Sequence, residues 1–361
     1  MMNKPGITTA VLVMFGASAC CAGADEPAPK ETALGKLAAG MKAGEWAELK
    51  TEKLIETHRA KGASGAIFGY NEGAVWDPKS RQWLYCGGDH NDRLRFVTYS
   101  ADSNTWKIVP EPDWVGNGTS HGYDHNAIDP GRGIFYYRPF SSPIIRRYDI
   151  AAGKWTALPK IETQEYLACC FGVAWFSELD GLVVANGGGG KGSVFLFREK
   201  EQKWTTLAKD LPMGTYHNFA EYSPVHKVMI FGGGNGSSDL HKLDANSKVT
   251  TQKKAPIGLG TMQTVVTLDP VSGDFLVLGK NGSFYVYDVV NDAWKLQEGK
   301  VPIFEPTRVA DNKVWHVTAT PVSSFGVTMF VKYYNADPPR AWVYLYKHSD
   351  AKPPAPKKDQ P

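Results

Sequence analysis

The chain has 361 residues, 42% of them hydrophobic, with 40 Lys and Arg against 37 Asp and Glu for a formal net charge of +3. That much apolar content excludes wholesale disorder, and so small a net charge does not fit a dedicated nucleic-acid binder. Thirty-seven glycines and 12% aromatic residues point to many short strands rather than to helices.

Residues Met1 to Ala24 read as an export signal. Lys4 supplies the positive start, Ile7 to Ala19 the short apolar run, and Ala22-Gly23-Ala24 the small-residue cleavage site. The apolar run is too short to span a bilayer, and no later stretch is long enough. A secreted or periplasmic protein with no membrane span is therefore expected. Ala17-Ser18-Ala19-Cys20 loosely resembles a bacterial lipoprotein box, which leaves a lipid anchor at Cys20 and an outer-surface location as the alternative. Beyond the signal only Cys86, Cys169 and Cys170 remain, which is not a disulfide framework. Residues 25 to 44 are expected to be a spacer with a short helix around Thr32 to Met41.

From Trp46 onward the chain repeats. An aromatic residue is followed seven positions later by Trp at Tyr99/Trp106, Tyr148/Trp155, Phe197/Trp204 and Tyr287/Trp294, with Leu243/Thr250 as a degenerate copy. Before each pair stands an apolar run. It ends in glycines in Leu84 to Gly88, Val183 to Gly190 and Val228 to Gly234, keeps one glycine in Phe275 to Gly279, and keeps none in Ile134 to Tyr137 and Val327 to Val331. An earlier strand ends near Pro or Ser at Asp77-Pro78, Asp129-Pro130, Phe176-Ser177, Ser223-Pro224, Asp269-Pro270 and Thr320-Pro321. Each unit thus reads as four strands, a to d, with glycines where the backbone needs unusual freedom and Trp filling space between sheets. The last unit lacks its fourth strand, and Glu45 to Leu49 supplies one: its Trp-x-x-Leu matches Trp155 to Leu158 and Trp204 to Leu207. Residues 351 to 361 are a Pro/Lys-rich tail expected to be disordered.

With its four-strand units of 44 to 49 residues, the chain from about residue 45 to 350 resembles the Kelch repeat. The resemblance implies an all-β β-propeller. Counting the units gives six blades, the last closed by the N-terminal strand around Trp46, and a monomer is expected. The resemblance also implies a ligand- or partner-binding scaffold. The exported proteins it is broadly similar to include six-bladed periplasmic sialic-acid mutarotases.

Chain direction alone places the starts of strands a and the b–c loops on one face of the disc, and the a–b turns on the other. The first face gathers His90, Arg93, His121, Tyr123, His125, Asn126, Arg138, His217, Asn218, Gln263, Trp315 and His316, a set suited to a sugar through hydrogen bonds and stacking. Five of the six b–c loops hold a Lys or Arg, which fits an anionic glycan. The expectation is a carbohydrate or protein partner on this face. The alternative is a sugar-active enzyme there, a mutarotase, an epimerase or a polysaccharide lyase, with His125 as base, Tyr123 as acid and Arg138 as charge neutraliser. No metal or other cofactor is expected: there is no His-Glu-x-x-His and no Cys-x-x-Cys. The pair Cys169-Cys170 reads either as two small buried thiols or as a strained ring disulfide. Asn117, Asn235 and Asn281 match glycosylation sequons but read as Asn-Gly turns.

Overall fold

The computed structural model describes residues 31–58, 67–88, 93–115, 121–305, 312–334 and 338–350. The expected signal, the tail and His90 lie outside them.

Six four-stranded antiparallel sheets form the ring. Strand β1 is Glu45–Glu48. Blade one is β2–β5 (Val75–Asp77, Gln82–Gly87, Arg95–Ser100, Thr105–Val109) and blade two β6–β9 (Asn126–Asp129, Ile134–Tyr137, Arg146–Asp149, Lys154–Ala157). Blade three is β10–β13 (Gly172–Phe176, Gly181–Asn186, Lys191–Arg198, Lys203–Pro212) and blade four β14–β17 (Asn218–Ser223, Val228–Gly233, Leu240–Asp244, Val249–Thr251). Blade five is β18–β21 (Thr264–Leu268, Phe275–Gly279, Phe284–Asp288, Ala293–Leu296). Blade six is β22–β24 (Val317–Val322, Val327–Tyr334, Arg340–Lys347), with β1 as its outermost strand.

The closure is antiparallel, Glu45 opposite Lys347 and Trp46 opposite Tyr346. The Trp46 ring lies 4.6 Å from Tyr346, 5.0 Å from Phe330 and 5.9 Å from Phe284, so it holds blade six to blade five. The chain then crosses to blade one. Glu52 bridges Thr105 in parallel, and the short helix α1 (Ala33–Gly40) seats Leu34 and Ala38, with Met41 just after it, in the core between blades one and six. Thr32 caps that helix by accepting from the Gly35 N–H at 3.0 Å. A second helix, α2 (Leu54–His58), wedges buried His58 among Phe68, Trp106 and Tyr333 over the same seam. No helix among the described residues is long and apolar enough to cross a membrane.

Each hydrophobic cluster lies between neighbouring blades rather than within one. The repeated Tyr/Trp pairs face each other across strands c and d: Tyr99–Trp106, Tyr148–Trp155, Phe197–Trp204 and Tyr287–Trp294 stand in register with centroids 4.6–5.3 Å apart. The degenerate copy is corrected by one residue, since Leu243 stands opposite Val249, not Thr250. The turn of blade four, tightened by the Asp244–Lys248 backbone bond and a left-handed Ser247, is one residue shorter than the others. The glycines after strand b permit close approach to the next blade. A Cβ on Gly187 would lie 1.9 Å from the Gly214 carbonyl oxygen, and Gly233 has φ +61° with Leu259 backbone 2.7 Å from its Cβ position.

Candidate functional site

The face built from the starts of strands a is where the sequence placed a ligand. There the structure brings four blades together at the axis. Tyr70 of blade one, His121, Tyr123 and His125 of blade two, His217 of blade four, and Trp315 and His316 of blade six pack ring against ring, mostly edge-on or tilted. Tyr70 lies 5.3 Å from His121, 6.2 Å from His217 and 5.8 Å from Trp315, and Tyr123 lies 5.7 Å from His217. His121, Tyr123, His125 and His316 are buried, while Tyr70, His217 and Trp315 keep partial exposure. Tyr123, His217, Met262 and His316 all take positive φ just before their strands a, so local strain repeats around this end.

Other members of the expected set are occupied by the fold. Asn126 accepts from the Cys86 N–H at 2.8 Å. Asn218 accepts from the Gly187 N–H at 2.9 Å and donates to the Gly214 and Gly233 carbonyls. Asn71, outside that set, likewise donates to the Val317 carbonyl. Each asparagine reaches the preceding blade, a polar staple where strand edges meet. Arg93 is exposed and paired with Glu111 at 3.0 Å. Gln263 is partly exposed on blade five, its carbonyl accepting from the Lys280 N–H at 2.8 Å.

Arg138 differs most from its expected role. Its side chain is buried, donates to the carbonyls of Ser142 (2.8 Å), Ala168 (3.1 Å) and Cys169, and lies 4.0 Å over the Phe171 ring. Burial lowers its pKa to about 10. The fork that was to hold a carboxylate or sulfate is spent on backbone acceptors. Nη1 also stands 3.4 Å from His125 Nε2, and burial followed by the Arg138 charge keeps His125 well below the ordinary histidine range. His125, Tyr123 and Arg138 are thus neighbours, as the lyase-like triple required. All three are buried, so a polymer would have to displace the packed rings before reaching them.

The opposite face, among the a–b turns, opens into an axial channel of about 190 Å³. Its mouth is formed by Pro78, Pro130, Pro224, Pro270 and Pro321, one from each blade except the third, which supplies Ser177. Its walls include Trp76, Trp175 and Tyr222, and its depth Asp124, Glu221 and Thr320. The prolines were visible in the sequence as turn markers, but nothing local showed that they ring one opening.

Three carboxyl groups sit around this axis. The inward edge of an innermost strand has no neighbouring strand to accept its N–H groups, and two acids answer that need from across the axis. Asp124 of blade two accepts from the Ala220 N–H of blade four at 2.6 Å. Glu72 of blade one accepts from the Val266 N–H (3.1 Å) and the Thr261 hydroxyl (3.3 Å) of blade five. The third, Glu221, keeps some contact with solvent through the channel and has no side-chain hydrogen-bond partner among the described residues. The Thr320 hydroxyl is buried and likewise unpartnered among them.

Burial raises the pKa of all three acids. Asp124 is pushed up to about 8, against the lowering effect of its backbone hydrogen bonds to Ala220 and Val173. Glu72 and Glu221 are raised well above the carboxylate range, by burial first and then by the Asp124 charge. Near neutral pH the group holds protons, so it can donate as well as accept. Among the described residues no three or more His, Cys, Asp or Glu side chains converge on a metal-binding arrangement, and the acids are read as proton-holding groups.

No protein-family model matches this chain, and no curated protein matches it. Among solved structures it is similar to a structural-genomics protein of unknown function from Bacteroides thetaiotaomicron VPI-5482, with a TM-score of 0.54 and 15% identity over 84% of this chain and 76% of that one. A nidogen/laminin complex matches with a TM-score of 0.46 and 12% identity over 62% and 77%. The first supports the propeller fold; at these identities neither carries a function.

Proposed function

We propose that this six-bladed propeller is a non-catalytic carbohydrate-binding protein that receives a sugar ring in the axial channel from the a–b turn face. The observation that carries the reading is Glu221: a carboxyl group facing the channel, unpartnered among the described residues, below walls of Trp76, Trp175 and Tyr222. Aromatic and proline walls suit the C–H face of a sugar. A protonated acid and the unpartnered Thr320 hydroxyl, both lining the channel, suit hydroxyl groups, which both donate and accept. A neutral glycan fits better than the anionic one expected from the loop cations, because Arg138 is engaged and the channel floor is acidic.

A second reading keeps the partner on the opposite face, around Tyr70, His217 and Trp315. It is favoured by their partial exposure and by the repeated positive φ there.

A glycan array followed by titration of each hit separates the two. Glu221→Ala is expected to weaken a channel ligand about ten-fold, the loss of one good hydrogen bond, while His217→Ala leaves affinity unchanged. The reverse pattern places the ligand on the other face. Incubating each hit with protein and following anomer exchange and ultraviolet absorbance tests the enzymatic alternative, since a binding protein changes neither.

A further inference from the structure

We propose that Cys169-Cys170, at the entry to β10, is a thiol–disulfide exchange site that reacts with small disulfides and closes reversibly into a ring disulfide. The two Sγ atoms lie 3.1 Å apart, with Cys169 partly exposed and Cys170 buried behind it. This arrangement divides the chemistry. Cys169 is the attacking thiol: the Cys170 hydrogen bond, and then the Arg138 guanidinium, lower its pKa to about 7 against the effect of burial. The pKa of Cys170 is driven the other way by the same hydrogen bond and by burial. An outer thiol near neutral pKa is well suited to attack, and the inner one, 3.1 Å away, resolves by its proximity.

The step balances. The Cys169 thiolate attacks one sulfur of a disulfide RSSR, the S–S bond breaks, and RS⁻ leaves. Cys170 then attacks Cys169 Sγ and passes its proton to the second RS⁻ as that thiolate leaves. The protein loses two hydrogens and two electrons, and RSSR becomes two RSH. Consecutive Cα atoms stand about 3.8 Å apart, below the usual span of a disulfide, so the ring is strained and readily reduced again. The peptide that must turn is not isolated. The Cys169 carbonyl accepts from Arg138, and the Cys170 carbonyl accepts from the N–H groups of His217 (3.0 Å) and Asn218 (3.3 Å). Closing the ring therefore acts on the backbone that sets His217 at the axis.

The test is to incubate the full chain with glutathione disulfide, quench with acid, unfold in denaturant near neutral pH with a maleimide present to trap free thiols, and map the peptides. Trapping at Cys169 and Cys170 is expected to fall about ten-fold together, with no glutathione retained and full recovery on reduction. Cys86, whose buried thiol has a raised pKa, should stay trapped throughout. Cys170→Ser should stop at a glutathione adduct on Cys169, and Cys169→Ser should leave Cys170 free. A wild type that remains fully trapped, or that keeps a stable glutathione adduct, overturns the proposal. So does a Cys169→Ser variant in which Cys170 reacts as fast.

Discussion

Asp124 shows how one side chain can serve the fold and still weaken it. Its Oδ2 satisfies the Ala220 N–H across the axis, yet it sits where its charge is poorly solvated. An acid with pKa about 8 when folded and an ordinary value of 3.8 when unfolded carries a proton only in the native state between those limits. The stability it adds is complete below about pH 4 and drains away as pH rises to about 8, at up to roughly 1.4 kcal/mol per pH unit for each proton retained. Histidines with lowered pKa, such as His58 at about 3, act in the opposite sense below about pH 6.5. Urea midpoints should therefore be compared between about pH 6.5 and 8. Cys169, with its lowered pKa, adds stability above about pH 7 in both proteins, so the difference between them is what is read: relative to wild type, Asp124→Asn should gain stability across the window and end the more stable at the alkaline end. A difference that does not change with pH would count against a protonated Asp124. At Arg138 the prediction is different. Arg138→Ala should destabilise by about 1–3 kcal/mol for each buried carbonyl left unsatisfied, read as a lower Tm. A variant as stable as wild type would mean that the bonds to Ser142, Ala168 and Cys169 contribute little.

At the scale of the strand, the repeat was readable because its signals are local. Tyr or Phe and Trp seven residues apart lie on facing strands, and a Gly-Gly after an apolar run marks a close approach to the next blade. Those spacings survive in the sequence whatever the rest of the chain does. What could not be read were contacts made across the axis. Glu72 meets Val266 and Asp124 meets Ala220 over long stretches of chain, and a lone acid in a strand looks like any polar residue on an exposed face. The burial of Arg138 was hidden for the related reason that charge does not report burial. Nor did anything local show that Asn126 and Asn218 reach the preceding blade. The tryptophans provide a graded check on the blade contacts. Trp106 is 1% exposed, whereas Trp204 is only partly covered and donates to the Pro159 carbonyl at 2.8 Å. Removing a large buried aromatic costs roughly 3–5 kcal/mol, so Trp106→Ala should lower the Tm more than Trp204→Ala. Equal losses would mean that burial does not set their contribution.

For the whole molecule, the seam between blades one and six is the place where the ring can open. It is secured by three successive pieces of the N-terminal segment: α1 with its buried Leu34, β1 paired with β24, and Glu52 bridged to Thr105. Removing residues 25 to 50 takes away the first two and exposes the edge of β24. The truncated chain is expected to aggregate or to melt without cooperativity. A soluble truncation with a sharp transition near the wild-type Tm would show that the other contacts close the ring unaided.

The pairing of Trp46 with Tyr346 also has a consequence in time. A chain made from its N-terminus exposes β1 before any blade exists, and β1 must stay unpaired until β24 has been synthesised. Blades one to five can assemble in order as they emerge, each against its predecessor, but the circle cannot close until β24, the last strand of the ring, is available. Closure is therefore the last step in assembling the ring, and the interval before it is when the molecule has two open edges to protect.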